Sequence, residues 1–139
     1  MRGARTFAAI ATVAAIGAGG VDAFAVGSPA SAAKVKVTLI EFKLTPSVKR
    51  VAAGKVTFSV RNAGQLPHEL VVLSTKAPAA KLPTKGAVAD DTGTVGKIPT
   101  FTPGTTKTLT LTLKPGHYAL ICNLPGHYKA GQFADLTVG

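Results

Sequence analysis

From Ala33 onward, apolar and polar residues mostly alternate along the chain, the period of a strand with one buried and one wet face. Val35, Val37 and Leu39 alternate with Lys34, Lys36 and Thr38, and Val56, Phe58 and Val60 alternate with Lys55, Thr57, Ser59 and Arg61. Leu109, Leu111 and Leu113 share one face of a run whose other face is Thr106, Thr108, Thr110 and Thr112. Each apolar set predicts a row of core residues, and the β-branched threonines favour a strand on the wet face as well. Further strands are predicted over 47–51, 69–74, 117–122 and 133–138. Helical spacing is hard to find.

Turn chemistry separates these runs at Ala53-Gly54, Asn62-Ala63-Gly64, Pro103-Gly104 and Pro115-Gly116. About seven or eight short strands in roughly a hundred residues predict an all-β fold, a two-sheet β-sandwich with Greek-key connections. Residues 75–104 are the exception. They contain four prolines, four glycines and the pair Asp90-Asp91, and the alternation fades. A long excursion over the surface is expected there, read as a flexible loop without a special role.

The first residues have a different pattern. Arg2 and Arg5 precede an uncharged, Ala-rich run from Phe7 to Val21, followed by small-residue patterns at Ala23-Phe24-Ala25 and Ala30-Ser31-Ala32. This reads as a signal peptide over residues 1–32, with cleavage after 25 as the alternative, ahead of a single domain over 33–139. The apolar run is short of the ~20 residues that span a bilayer. Export to the periplasm, the cell surface or the medium is expected.

Charge narrows the partners. The formal net charge is +10, and loss of Arg2, Arg5 and Asp22 with the leader lowers it to +9. The cations are spread out rather than run together, and the chain has two Tyr and no Trp for base stacking, so nucleic acid is not the expected partner. The charge suits acidic docking surfaces on partner proteins and, secondarily, an anionic membrane surface.

Two absences bear on the chemistry. Met1 is the only methionine and lies in the leader, and Cys122 is the only cysteine, so no internal disulfide can form. An exported small domain without a disulfide relies on its core or on a bound metal. Cys122 ends a predicted strand, Pro125-Gly126 turns the chain, and His127 can return beside the sulfur, with Gln132 five residues further on. His68, after the Asn62-Ala63-Gly64 turn, offers an imidazole from a neighbouring loop at one pole of the sandwich. One thiolate and two imidazoles with a weak fourth ligand form the blue-copper donor set. His117 lies five residues before Cys122 on the same strand, so it points to the opposite face and reads as a surface histidine, whereas Tyr118 and Leu120 share the face of Cys122 and read as core.

On these pieces, Asn62 through Leu70, Tyr118 to Cys122, and Cys122-x4-His127-x4-Gln132, the chain from residue 33 resembles a small cupredoxin of the plastocyanin and azurin type. The resemblance implies one type 1 copper ion held by His68, Cys122 and His127. Gln132 stands where methionine is usual and resembles the axial ligand of the stellacyanin group. Glu69 also departs from the pattern, because asparagine commonly follows the first histidine.

The function expected from this set is one-electron transfer between redox partners by a monomeric carrier that is not an enzyme, with His127 at the loop tip as the electron port. Copper storage or delivery through the same ligands is the alternative. Three histidines and one cysteine are too few for a multicopper oxidase or a binuclear copper centre.

Overall fold

The structure is a computed structural model that describes residues 31–139. The leader reading of residues 1–32 falls almost wholly outside the described residues. In chain order the strands are β1 (Ala33–Ile40), β2 (Lys43–Pro46), β3 (Arg50–Val51), β4 (Gly54–Asn62), β5 (His68–Ser74), β6 (Thr84–Lys85), β7 (Val88–Ala89), β8 (Thr94–Phe101), β9 (Thr106–Leu113), β10 (Gly116–Ile121) and β11 (Phe133–Val138), with one 3-10 turn at Ala79–Lys81. Three of the eleven are two-residue pieces, so the long strands match the expected count.

Two sheets form the sandwich. One has the order β2-β1-β4-β9 and the other β3-β11-β10-β5-β8, while β6 and β7 make a separate hairpin. β1 runs parallel to β4 and β3 parallel to β11, whereas the remaining pairs are antiparallel. The alternation read from the sequence sets the inner face: Val35, Val37, Leu39, Val56, Phe58 and Val60 are all buried and meet Leu70, Val72, Leu120 and Leu136 from the other sheet. Burying a side chain of this size stabilises the fold by about 1.5–3 kcal/mol.

The stretch 75–104 differs from expectation. Its last part is β8, an eight-residue strand at the edge of the five-stranded sheet, paired with β5 across two register shifts. The irregular register places Ile98 and Phe101, three residues apart, in the same core, and Pro99 lies at the sheet edge, where its missing N–H is tolerated. A bulged edge strand does not keep period 2, which is why the alternation fades.

The earlier part packs rather than floats. Ala79, Leu82 and Ala89 cover Val71, Leu73, Ala119, Ile121 and Tyr128 on the outer side of the five-stranded sheet, forming a second apolar cluster. β5 and β10 are therefore buried on both faces. Among the described residues no helix is long and apolar enough to cross a membrane.

Candidate metal centre

The loops at one pole of the sandwich bring four side chains together. His68 opens β5, Cys122 follows the last residue of β10, His127 sits in the connecting loop and Gln132 immediately precedes β11. His68, Cys122 and Gln132 are fully buried, and His127 is half-buried. Gly126 and Gly131, both at positive φ (81° and 110°), let the short loop reverse, and backbone bonds from Ala130 N to Gly126 O and from Gln132 N to His127 O close it.

The donor atoms face a common point. Cys122 Sγ lies 3.5 Å from His127 Nδ1 and 3.9 Å from His68 Nδ1, and the two Nδ1 atoms are 3.2 Å apart. A triangle with these sides has a point about 2.1 Å from every corner, close to the ~2.0–2.3 Å of metal–imidazole and metal–thiolate bonds. Among the described residues these three form the cluster of metal-binding side chains. The donor set fits one copper ion, since thiolate suits Cu(I) and imidazole accepts either oxidation state.

Gln132 completes the set in a defined orientation. Its Nε2 donates to the Ile40 carbonyl at 2.9 Å and lies 3.1 Å from His68 Nδ1, while Oε1 lies 3.1 Å from His127 Nδ1. The amide thus spans the two imidazoles, with its oxygen on the His127 side.

His68 is oriented by a residue that its own loop does not supply. Its Nε2 lies 2.8 Å from Glu41 Oε1, a carboxylate that can only accept, so the proton sits on Nε2 and the Nδ1 lone pair faces the site. The same carboxylate accepts the backbone N–H groups of Gln65 and Leu66. These backbone bonds, with the His68 bond adding to them, hold the Glu41 carboxyl down to about pH 2. Gly64 packs against the carboxylate so closely that a Cβ there would overlap it. Asn62, fully buried, bonds Leu66 O, Phe101 O and Gly64 N, fixing the other side of the loop. Burial pushes the His68 imidazole below its usual value, and the Glu41 bond opposes that shift.

The sulfur also has a fixed partner. Glu69 N–H points to Cys122 Sγ at 3.4 Å, and the buried Glu69 carboxylate pairs with Lys97 Nζ at 2.9 Å. Burial raises the thiol above its usual range, opposed by the backbone N–H groups of Glu69 and Leu124.

The ligand loop is braced by the excursion that the sequence left as a flexible loop. Asn123 exchanges two hydrogen bonds with the backbone of Ala89, Gly126 N donates to Ala87 O, and Tyr128 OH accepts from Leu82 N while donating to Ala79 O. His117 lies on the far face of β10, as its parity requires, and is half-buried. One ring nitrogen meets Thr75 O and the other meets Asp135, which also accepts Ala79 N–H.

Sequence reasoning thus named the four side chains that the fold brings together and missed Glu41, Lys97 and the bracing contacts. One signal for Glu41 was available: it is the only acidic residue between Ala33 and His68, in a stretch otherwise rich in cations.

The cupredoxin-like domain family matches the chain over residues 8–134. No curated protein matches it in sequence. Similar solved structures include dithionite-reduced auracyanin from the photosynthetic bacterium Roseiflexus castenholzii, 24% identical with a TM-score of 0.59 over 79% of this chain and 99% of that one. An azurin from the obligate methylotroph Methylomonas sp. strain J is 17% identical, with a TM-score of 0.57 over 79% of this chain and 99% of its own. Reduced rusticyanin is 17% identical, with a TM-score of 0.59 over 81% and 82% of the two chains. At these identities the likeness is one of fold. Family match, sandwich and donor cluster agree, and the chain belongs to the cupredoxin-like family, with a site for one copper ion and glutamine where methionine is usual.

Proposed function

We propose that this protein is an exported one-electron carrier whose copper ion would be held by His68 Nδ1, Cys122 Sγ and His127 Nδ1, with Gln132 Oε1 as a weak fourth donor. The observation that carries the reading is the convergence of the two Nδ1 atoms and the sulfur within 3.9 Å of one another at a buried pole. Bound copper would supply a Cu(II)/Cu(I) couple in a field of one thiolate and two imidazoles.

The chain's own residues do the rest. Glu41 holds His68 in one tautomer, Glu69 N–H supports the sulfur, and Ile40 O fixes the amide of Gln132. Ligands held this firmly move little between oxidation states, which favours fast transfer over release for storage or delivery.

His127 is the port. Phe42 packs edge-on against it at a ring separation of 5.0 Å, and Phe42 and Leu66 are 40% and 44% exposed. With Pro125 and Gly126 they make a small apolar docking patch suited to short-lived redox encounters with acidic partner proteins. The leader, residues 1–32, delivers the domain 33–139 outside the cytoplasm, where it works as a monomer.

Titration of the purified apo-protein with Cu(II), followed by visible spectroscopy and repeated reduction and reoxidation, tests the reading. An intense thiolate charge-transfer band at one equivalent, stable through the cycles, is expected. A weak colour without saturation would refute the site, and loss of copper on reduction to a modest chelator would favour delivery.

A further inference from the structure

The outer face of the four-stranded sheet has a charge pattern that solubility alone does not require. Lys34, Lys36, Thr38 and Ile40 of β1, Lys43 and Thr45 of β2, Lys55, Thr57, Ser59 and Arg61 of β4, and the four threonines of β9 alternate with the buried rows and point outward. Across the ladders four of the five cations face hydroxyls, Lys43 faces Ile40, and none faces a carboxylate. Lys34 pairs with Thr57, Lys36 with Ser59, Lys55 with Thr112, and Arg61 with Thr38 and Thr106. Opposite charges at cross-strand positions are one way to stabilise a wet sheet face, and this face uses a hydroxyl pair, Thr57 with Thr110 at 2.9 Å, instead.

The described carboxylates lie elsewhere. Glu41 is tied into the metal pole, Glu69 to Lys97 and Asp90 to Lys85, Asp91 lies in the 75–104 excursion, and Asp135 bonds His117 and Ala79 on the outer side of the five-stranded sheet, sharing only the edge groove with Lys43. The sandwich is therefore electrically lopsided, with five cations and no acid on one broad face.

We infer that this face docks on the surface of an anionic lipid bilayer. A protein partner would call for aromatic or apolar anchors seated in pockets. This face has no such pocketed anchor: Ile40 at its rim is its one large exposed apolar side chain, and the grooves by Lys43 to Lys49 and by Lys97 to Leu109 lie along the edges of the sandwich. A flat array of ammonium, guanidinium and hydroxyl groups matches a plane of phosphate headgroups, which meets all five cations at once. Strands lying in the membrane plane leave the pole with His127 facing sideways, open to a partner on the same surface. That consequence rests on the carrier reading, but the docking itself does not involve copper.

Co-sedimentation with vesicles decides it, using the full chain and mixed phosphatidylglycerol–phosphatidylcholine against pure phosphatidylcholine vesicles. Two variants with equal charge loss are compared: Lys34→Gln, Lys36→Gln, Lys55→Gln, Arg61→Gln, and Lys76→Gln, Lys81→Gln, Lys85→Gln, Lys129→Gln. Thermal melts check that both fold. The face variant should lose more than about tenfold in affinity for the anionic vesicles and the control less than about threefold, with added salt abolishing the difference. Equal losses would reduce the effect to net charge and overturn the assignment. Wild-type binding no tighter to anionic than to neutral vesicles would also overturn it, leaving an acidic protein as the occupant of the face.

Discussion

The two halves of the metal pole are built on different principles. On the sandwich side, His68, Cys122 and Gln132 are fully buried, and each has a partner on a different strand or loop: Glu41, Glu69 N–H and Ile40 O. On the loop side, His127 is half-buried between Phe42 and the exposed turn Pro125-Gly126. One half is held by hydrogen bonds and charge, the other by a ring contact and the loop's own backbone bonds. The difference supports the proposed separation of tasks, in which the inner half fixes the properties of the centre and the outer half gives access to it.

The severest way to break the comparison is to remove the inner-half atom that the outer half closes on, Cys122 Sγ, 3.5 Å from His127 Nδ1. Cys122→Ser should abolish the charge-transfer band, because the sulfur is the donor. Exchanging the buried sulfur for a smaller, more polar hydroxyl, further from the Glu69 N–H, should also cost about 1–3 kcal/mol of stability, read by denaturant titration. A variant that keeps the band would remove Cys122 from the ligand set.

Gln132→Met acts within the inner half alone. An amide oxygen is a harder donor than a thioether and favours Cu(II), so the exchange should raise the reduction potential, with about 59 mV for each tenfold change in relative affinity. Voltammetry of both proteins in one buffer checks this. Equal potentials with copper bound in both would show that Oε1 does not ligate.

Smaller shifts of opposite sign should come from the two carboxylates. Glu41→Gln removes a negative charge beside His68 and should raise the potential. Lys97→Met leaves the Glu69 carboxylate uncompensated near the sulfur and should lower it, each by less than about 59 mV. Phe42→Ala, on the outer half, should leave the potential nearly unchanged while slowing exchange with a partner. A Phe42 shift as large as the Glu41 shift would erase the proposed division.

The smallest spectral effect belongs to His117→Gln. The band should be unchanged, while loss of the bonds to Thr75 and Asp135 should cost about 1–2 kcal/mol. A changed spectrum would mean that β10 transmits to the site from its far face.

These contrasts also mark what the sequence could reveal. Alternation is a local property, so it assigned Val35 to Leu39, Val56 to Val60 and Tyr118 and Leu120 to the core, and it separated His117 from Cys122. Ligand spacing within 122–132 is local too. Glu41 meets His68 across 27 residues, and Lys97 meets Glu69 only because β8 pairs with β5 through an irregular register. No periodicity announces such contacts. The second apolar cluster was hidden for a related reason: Ala79, Leu82 and Ala89 are too sparse among prolines and glycines to show a period, yet they suffice once β5 and β10 supply the opposing surface.

The contact between Gly64 and the Glu41 carboxylate constrains how this sequence can change. Any side chain at 64 would expel the carboxylate that holds Gln65, Leu66 and His68, so the two positions are epistatic. Shortening residue 41 first opens the space but leaves two backbone amides and an imidazole N–H without their acceptor. Filling position 64 first meets the carboxylate head-on. A bulkier residue 64 or a shorter residue 41 thus loosens the loop that presents His68, although neither residue supplies a ligand.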